Sequence, residues 1–158
     1  MEIYRVSFIG HREIPRSREV EERLDELIRE LIRTKEYVEF YIGRNGDFDI
    51  LAASTVKRAQ KTLGHHNSSL TLVLPYHMKD EEYYADYYDD MLYPVDTKTH
   101  PKSAITKRNY WMAENSDALI CYVNKKSGGA YSMMKYARET GLSIKTYFAN
   151  NAKINEIL

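Results

Sequence analysis

The sequence predicts an α/β protein: one Rossmann-like domain, an open parallel sheet with helices on both faces. Three observations predict it. Strand-like and helix-like stretches alternate along the 158 residues, the order that builds parallel sheets through helical crossovers. Residues 118–123, ALICYV, form an unbroken apolar run, as in a central strand covered on both faces. Glycines follow the ends of several strand-like stretches, where such sheets bind ligands.

The elements follow in order. Residues 3–9, IYRVSFI, have strand composition and stop at Gly10. A helix is predicted over 17–35. Its apolar residues Val20, Leu24, Leu27, Ile28, Leu31 and Ile32 fall on one stripe, and Ser17 with Arg18 and Glu19 marks its start. Tyr37–Ile42 reads as the second strand, ended by Gly43. A helix over 47–63 would pack through Ala52, Ala53, Val56 and Ala59. A third strand at 70–74 is closed by Pro75. A helix over 102–115 precedes the apolar strand at 118–123. The last pair is a helix over 129–140, stopped by Gly141, and a strand at 144–148. About five strands result. No linker, repeat or second domain interrupts the chain, so residues 1–158 are expected to form one domain.

An excursion breaks the alternation at about 79–101. Residues 79–92, KDEEYYADYYDDML, hold six acidic residues and four tyrosines, which suits a solvated helix or flap better than a metal site. Tyr83, Tyr84, Tyr87 and Tyr88 fall at helical spacing and are expected to pack against the body rather than stack on a base. Residues 93–101 read as a loop with a short strand at most.

Composition narrows the function. Hydrophobic residues at 43% against 29% charged predict a folded chain. Lys+Arg and Asp+Glu are 23 each, so the chain lacks the basic excess usual in nucleic-acid binders, and a nucleic-acid partner is not expected. The lone Cys121 cannot form an internal disulfide and, among apolar neighbours, reads as a buried strand residue. The opening MEIYRVSFIG lacks the basic start of a signal peptide, and no apolar run approaches the ~20 residues of a membrane helix. The expected location is the cytoplasm. No metal set is expected: His65 and His66 are adjacent and diverge, with no further ligand at suitable spacing. Ser132 has no identifiable histidine partner, and His77 and His100 read as exposed loop residues.

Three loops remain as a candidate site. They are Gly10-His11-Arg12, then Gly43-Arg44-Asn45-Gly46 running into Asp47, Phe48 and Asp49, and then Ser127-Gly128-Gly129-Ala130-Tyr131-Ser132. Free N–H groups at a helix N-terminus favour an anion, and glycine lets backbone approach it. Arg12 and Arg44 add donors suited to a phosphate or diphosphate. Asp49 either complements the dipole of the second helix or meets the ligand.

The GHR after the first strand, the glycines and aspartate of residues 43–49 followed by Ala52-Ala53, and Arg108, Ser116-Asp117-Ala118 and Gly128-Gly129 together resemble the SLOG superfamily. The likeness runs over residues 4–148 and is greatest to its YpsA-like members. The superfamily also holds the LONELY GUY phosphoribohydrolases, the DNA-processing A proteins and sensor domains of Thoeris-type defence. The resemblance implies a Rossmann-like nucleotide pocket and adds Arg108 to the candidate residues. It argues against the phosphoribohydrolase reaction. Aligning the glycine pairs puts Tyr131 on that motif's third glycine, Ser132 on its threonine and Lys135 on its catalytic glutamate. A lysine cannot stabilise a developing oxocarbenium charge.

The sequence therefore predicts a binder of a nucleotide or an ADP-ribose-like derivative of NAD, acting as sensor, carrier or sequestering protein with no obligatory cofactor. One rival is a nucleotide N-glycosidase or phosphoester hydrolase using Arg108 with Asp117 or Glu139. The other is a single-stranded nucleic-acid binder. A homo-oligomer through Tyr110 and Trp111 is a further expectation.

Overall fold

The computed structural model describes residues 1–15 and 17–150. Residues 151–158 of the expected domain lie outside them. The chain opens with β1 (Ile3–Gly10), α1 (Arg18–Thr34), β2 (Tyr37–Ile42), α2 (Asp47–Leu63) and β3 (Ser68–Val73). The excursion supplies α3 (Glu81–Ala85) and β4 (Asp90–Leu92). The chain then runs through α4 (Pro101–Glu114), β5 (Ala118–Tyr122), α5 (Gly128–Glu139) and β6 (Lys145–Phe148). The strands form one sheet in the order β4-β3-β2-β1-β5-β6, every neighbouring pair parallel. The predicted fold class is thus observed.

Alternation of side chains across the pleat explains the apolar run of β5, because both of its faces are covered. Ile120 joins α1 and α2 in one core with Val6, Phe8, Phe40, Ile42 and Leu70. Leu119 and Cys121 face the other way, into a core with Met112 and Ala113 of α4 and Met133, Met134 and Ala137 of α5. Burial raises the Cys121 thiol far above its usual range, so it is a packing residue. The predicted stripe of α1 is wholly buried, and the small residues Ala52, Ala53 and Ala59 bring α2 close to the sheet. Phe8 and Phe40 stack at 5.6 Å on neighbouring strands. Burying each such side chain contributes about 1.5–3 kcal/mol.

The excursion is where the structure departs from expectation. It adds a sixth strand, and that strand lies at Asp90–Leu92 rather than within 93–101. β4 pairs with β3 through Thr71–Asp90, Leu72–Met91 and Val73–Leu92. The Asp89 carboxylate secures the junction, accepting from the Leu70 N–H at 2.7 Å and the Gln60 amide at 3.2 Å. Strand propensity is low in this acidic stretch, and pairing with β3 overrides it. The tyrosines also divide. Tyr88 is buried in the core, whereas Tyr83 is 80% exposed and Tyr87 40%. For those two the expectation of packing against the body is corrected: Tyr83 sits on α3, a short helix that buries none of its residues, and Tyr87 on the turn after it.

Strand order reverses between β1 and β5. Gly10 and Tyr122 end side by side there, leaving a crevice at the carboxyl edge.

Candidate functional site

The three glycine loops meet around that crevice. The Asn124 N–H donates to His11 Nε2 at 3.0 Å, tying the loop after β5 to the loop after β1. The Asp47 N–H donates to the Arg12 carbonyl at 2.8 Å, and Arg12 Nε donates to the Asn45 carbonyl at 3.1 Å. These bonds join the loop after β1 to the start of α2. Between the loops lies a cleft of about 290 Å³. Gly10, His11, Arg12, Asn45, Asp49, Arg108, Gly128, Gly129 and Ala130 line it, all among the residues singled out from sequence.

The N-terminus of α5 forms one wall. Ser127 is extended and its side chain caps nothing. Gly128 has φ +89°, a left-handed conformation that suits glycine. A Cβ on Gly129 would find Asn109 Nδ2 at 3.6 Å as its nearest neighbour, so the space beside it is open. The first N–H groups of α5 have no carbonyl four residues back within the helix, and the helix dipole adds partial positive charge. Lys125 and Arg12 stand on the same cleft.

The floor holds two buried charges. Arg108 is 2% exposed; its Nη1 donates to the Val73 carbonyl at 2.8 Å and its Nε to Asn109 Oδ1 at 2.9 Å. Asp49 is 8% exposed and accepts the Asn45 N–H at 3.1 Å on Oδ2. Its Oδ1 has no hydrogen-bond partner among the described residues. Burial raises the Asp49 carboxyl to about 6, against the opposing pull of Arg108 and the Asn45 N–H. Burial and then Lys125 lower the His11 value, so this ring too is held toward its neutral form. With Nε2 accepting a backbone N–H, the neutral ring carries its proton on Nδ1.

Several predicted residues have other duties. Arg44 turns from the cleft and lies over the Tyr84 ring at 3.7 Å. Gly43 admits the guanidinium of Arg108, whose Nη1 is 2.9 Å from where its Cβ would stand. Gly46 allows the backbone of Arg12 to cross, and Gly10 is covered by the Phe48 ring. Tyr131 is partly buried against the core that α5 covers, and Ser132 is exposed and does not line the cleft. Lys125, Asn109 and Ile105 line the cleft but were not singled out. Lys125 follows a strand directly, as the other loop residues do, and that signal was available. Asn109 and Ile105 are placed only by the packing of α4.

The rival catalytic residues do not gather here. Asp117 accepts the Arg5 N–H at 2.8 Å at the amino end of the sheet, the opposite edge. Glu139 ends α5, about 16 Å along the axis from Gly128. Lys135 is exposed on the same helix. Tyr110 stacks on Tyr136 at 4.1 Å and Trp111 packs on Tyr41, and both rings are partly buried within this chain. Among the described residues no group of three or more His, Cys, Asp or Glu could hold a metal. No described helix is long and apolar enough to cross a membrane.

No protein-family model matches the chain, and no curated protein does. Solved structures do match. DNA processing protein A of Streptococcus pneumoniae superposes with a TM-score of 0.69 at 15% identity, over 98% of this chain and 53% of that one. The chain has that protein's fold. DNA processing protein A of Helicobacter pylori, described for its single-stranded DNA binding mode, gives a TM-score of 0.63 at 16% identity, over 90% of this chain and 64% of that one. The chain therefore spans between half and two thirds of these neighbours.

Proposed function

We propose that this chain is a member of the SLOG superfamily and that its cleft binds the phosphate of a nucleotide unit. The free ligand would be a nucleotide or an ADP-ribose-like molecule, held by a sensor, carrier or sequestering protein without efficient turnover. One observation carries the reading: the open N-terminus of α5 at Gly128-Gly129 faces the same cleft as Arg12, Lys125 and Arg108. Donors from the loops after β1 and β5 and from α4 converge where an anion gains most from the helix dipole. The absence of a glutamate at Lys135, and the distance of Asp117 and Glu139, support binding over hydrolysis.

Single-stranded nucleic acid is the second reading. It is favoured by the shared fold with DNA processing protein A, one example of which is described as binding single-stranded DNA. That likeness counts against the inference, drawn from zero net charge, that nucleic acid is not a partner. A neutral total does not prevent a local excess, and Arg12, Lys125 and Arg108 outnumber Asp49 around the cleft.

A thermal-shift and calorimetric screen with inorganic phosphate, nucleoside monophosphates, ADP-ribose and a short oligonucleotide tests both readings. A ligand at about 100 times its dissociation constant should stabilise the fold by roughly 2.7 kcal/mol. Ligand recovered intact supports a binder. Free base in the chromatogram, above a no-protein control, would establish a hydrolase instead. No shift with any of these ligands would overturn the reading.

A further inference from the structure

A second opening adjoins the cleft. It is a groove of about 540 Å³ between the outer face of α2 and the excursion. Arg44, Ile50, Tyr83, Tyr84, Tyr87 and Tyr88 form most of its lining. The two openings share a wall. Arg44 lines the groove and the next residue, Asn45, lines the cleft; Asp49 lines the cleft and the next, Ile50, lines the groove.

The groove's chemistry is aromatic and cationic together. The Arg44 guanidinium lies over Tyr84, and Lys57, outside the lining, holds its Nζ 4.8 Å from the Tyr87 ring centre. Tyr83 meets Tyr84 edge-on at 5.3 Å, and Tyr87 meets Tyr88 likewise at 5.0 Å. The outer ring of each pair is left to solvent. Exposed large apolar side chains are otherwise confined to this region. Apart from Met1, the described ones are Ile50, which lines the groove, Tyr76 and Met78 just before the excursion, and Tyr83, Tyr87 and Tyr93 within it. A stable fold gains nothing from presenting Ile50, Tyr83 and Tyr87 to water around one groove.

The geometry points to this groove as a base-stacking subsite for single-stranded nucleic acid whose phosphate occupies the neighbouring cleft. The inference rests on the phosphate reading of that cleft. Tyrosine faces accept any base, because every base has a π-face, and Arg44 contributes its planar guanidinium. Two outward rings on successive turns offer more stacking surface than one mononucleotide can use. The carboxylate of Asp86 lines the groove as well and repels a sugar-phosphate chain. The backbone is therefore directed to the cleft side, where Arg12 and Lys125 stand, and only bases enter the groove.

The test titrates the full chain with thymidine monophosphate and with an oligothymidylate of about eight nucleotides. Three proteins are compared: wild type, Tyr83→Ala with Tyr87→Ala, and Tyr83→Phe with Tyr87→Phe. Both positions are exposed, so the variants should fold. The alanine pair should bind the oligonucleotide more weakly by roughly tenfold for each ring removed, about 1.4 kcal/mol per ring, and bind the monophosphate as wild type does. The phenylalanine pair should keep wild-type affinity for both. Unchanged oligonucleotide affinity in the alanine pair overturns the inference. Wild type that binds the monophosphate at least as tightly as the oligonucleotide also overturns it, while the phosphate reading stands. If wild type binds neither, both readings fall.

Discussion

The cleft and the tyrosine groove lie on either side of one loop, and they are built in opposite ways. Around the cleft almost every group has two duties. Arg108 faces the cavity and also holds the end of β3 through the Val73 carbonyl. His11 lines the cavity and accepts the backbone bond that joins two loops. The tyrosine groove is different: Tyr83 and Tyr87 project from α3 and the turn after it, while Tyr88 and Asp89 do the anchoring. Charge differs as well, since Arg12, Lys125 and Arg108 outnumber Asp49 at the cleft whereas Arg44 and Asp86 balance in the lining of the groove. Site residues that also build the fold cannot be changed without changing stability, whereas residues added on an outlying turn can be. That contrast is open to direct attack.

The largest effect should come from Gly10. A Cβ there would stand 2.2 Å from the Phe48 ring, which is itself fully buried. Gly10→Val should cost about 3 kcal/mol or more in urea denaturation, the upper range for overpacking. A near-wild-type midpoint would mean that Phe48 can move aside and that the cleft wall is softer than described. Gly129→Val is the contrasting change in the same cleft. With its nearest neighbour at 3.6 Å, it should unfold near the wild-type midpoint while losing affinity for phosphate ligands. Wild-type affinity in calorimetry would break the assignment of that wall.

The next effect depends on pH. Asp49 has its folded value raised from 3.8 to about 6, so the folded state holds its proton more tightly than the unfolded chain. Its contribution is present in full below the unfolded value, declines as pH rises toward about 6, and is gone above that. The span of about two units corresponds to roughly 3 kcal/mol. Asp49→Asn should remove this slope, read as the difference between the stability profiles of the two proteins from pH 4 to 7. Parallel profiles would show that Asp49 is ionised throughout. The same proton should tune the cleft. Binding of an anion whose own charge is constant there, such as sulfate, should weaken as pH rises through 6, because Asp49 becomes negative while the cations Arg12, Lys125 and Arg108 are unchanged.

The smallest effect is the most diagnostic of the groove. Tyr83→Ala with Tyr87→Ala should change stability by no more than about 0.5 kcal/mol, as for surface positions generally. A larger loss in denaturation would show that these rings support the fold, as Tyr88 does.

Much of this was legible in the chain because it is periodic. The stripe of α1 is placed to within a residue at each end, and the apolar run of β5 announced a strand covered on both sides. Loops that directly follow strands were legible too, since a parallel sheet sends all of them to one edge. What escaped depends on contacts between distant residues. β4 is only three residues long, opens on an aspartate, and exists because β3 offers an edge. Gly43 and Gly10 were read as room for a ligand, whereas the structure fills that room with Arg108 and Phe48. Arg44 was assigned to the cleft by its place in a loop, yet a ring of the excursion draws it to the other side.

The central claim is that an anion sits at the N-terminus of α5. Amide chemical shifts followed during titration with a nucleoside monophosphate test it directly. The account predicts the largest movements at the N–H groups of Gly128, Gly129 and Ala130, with those of His11 and Lys125 close behind, all saturating together. Saturable binding whose shifts cluster away from these residues, or no movement at millimolar ligand, would contradict it.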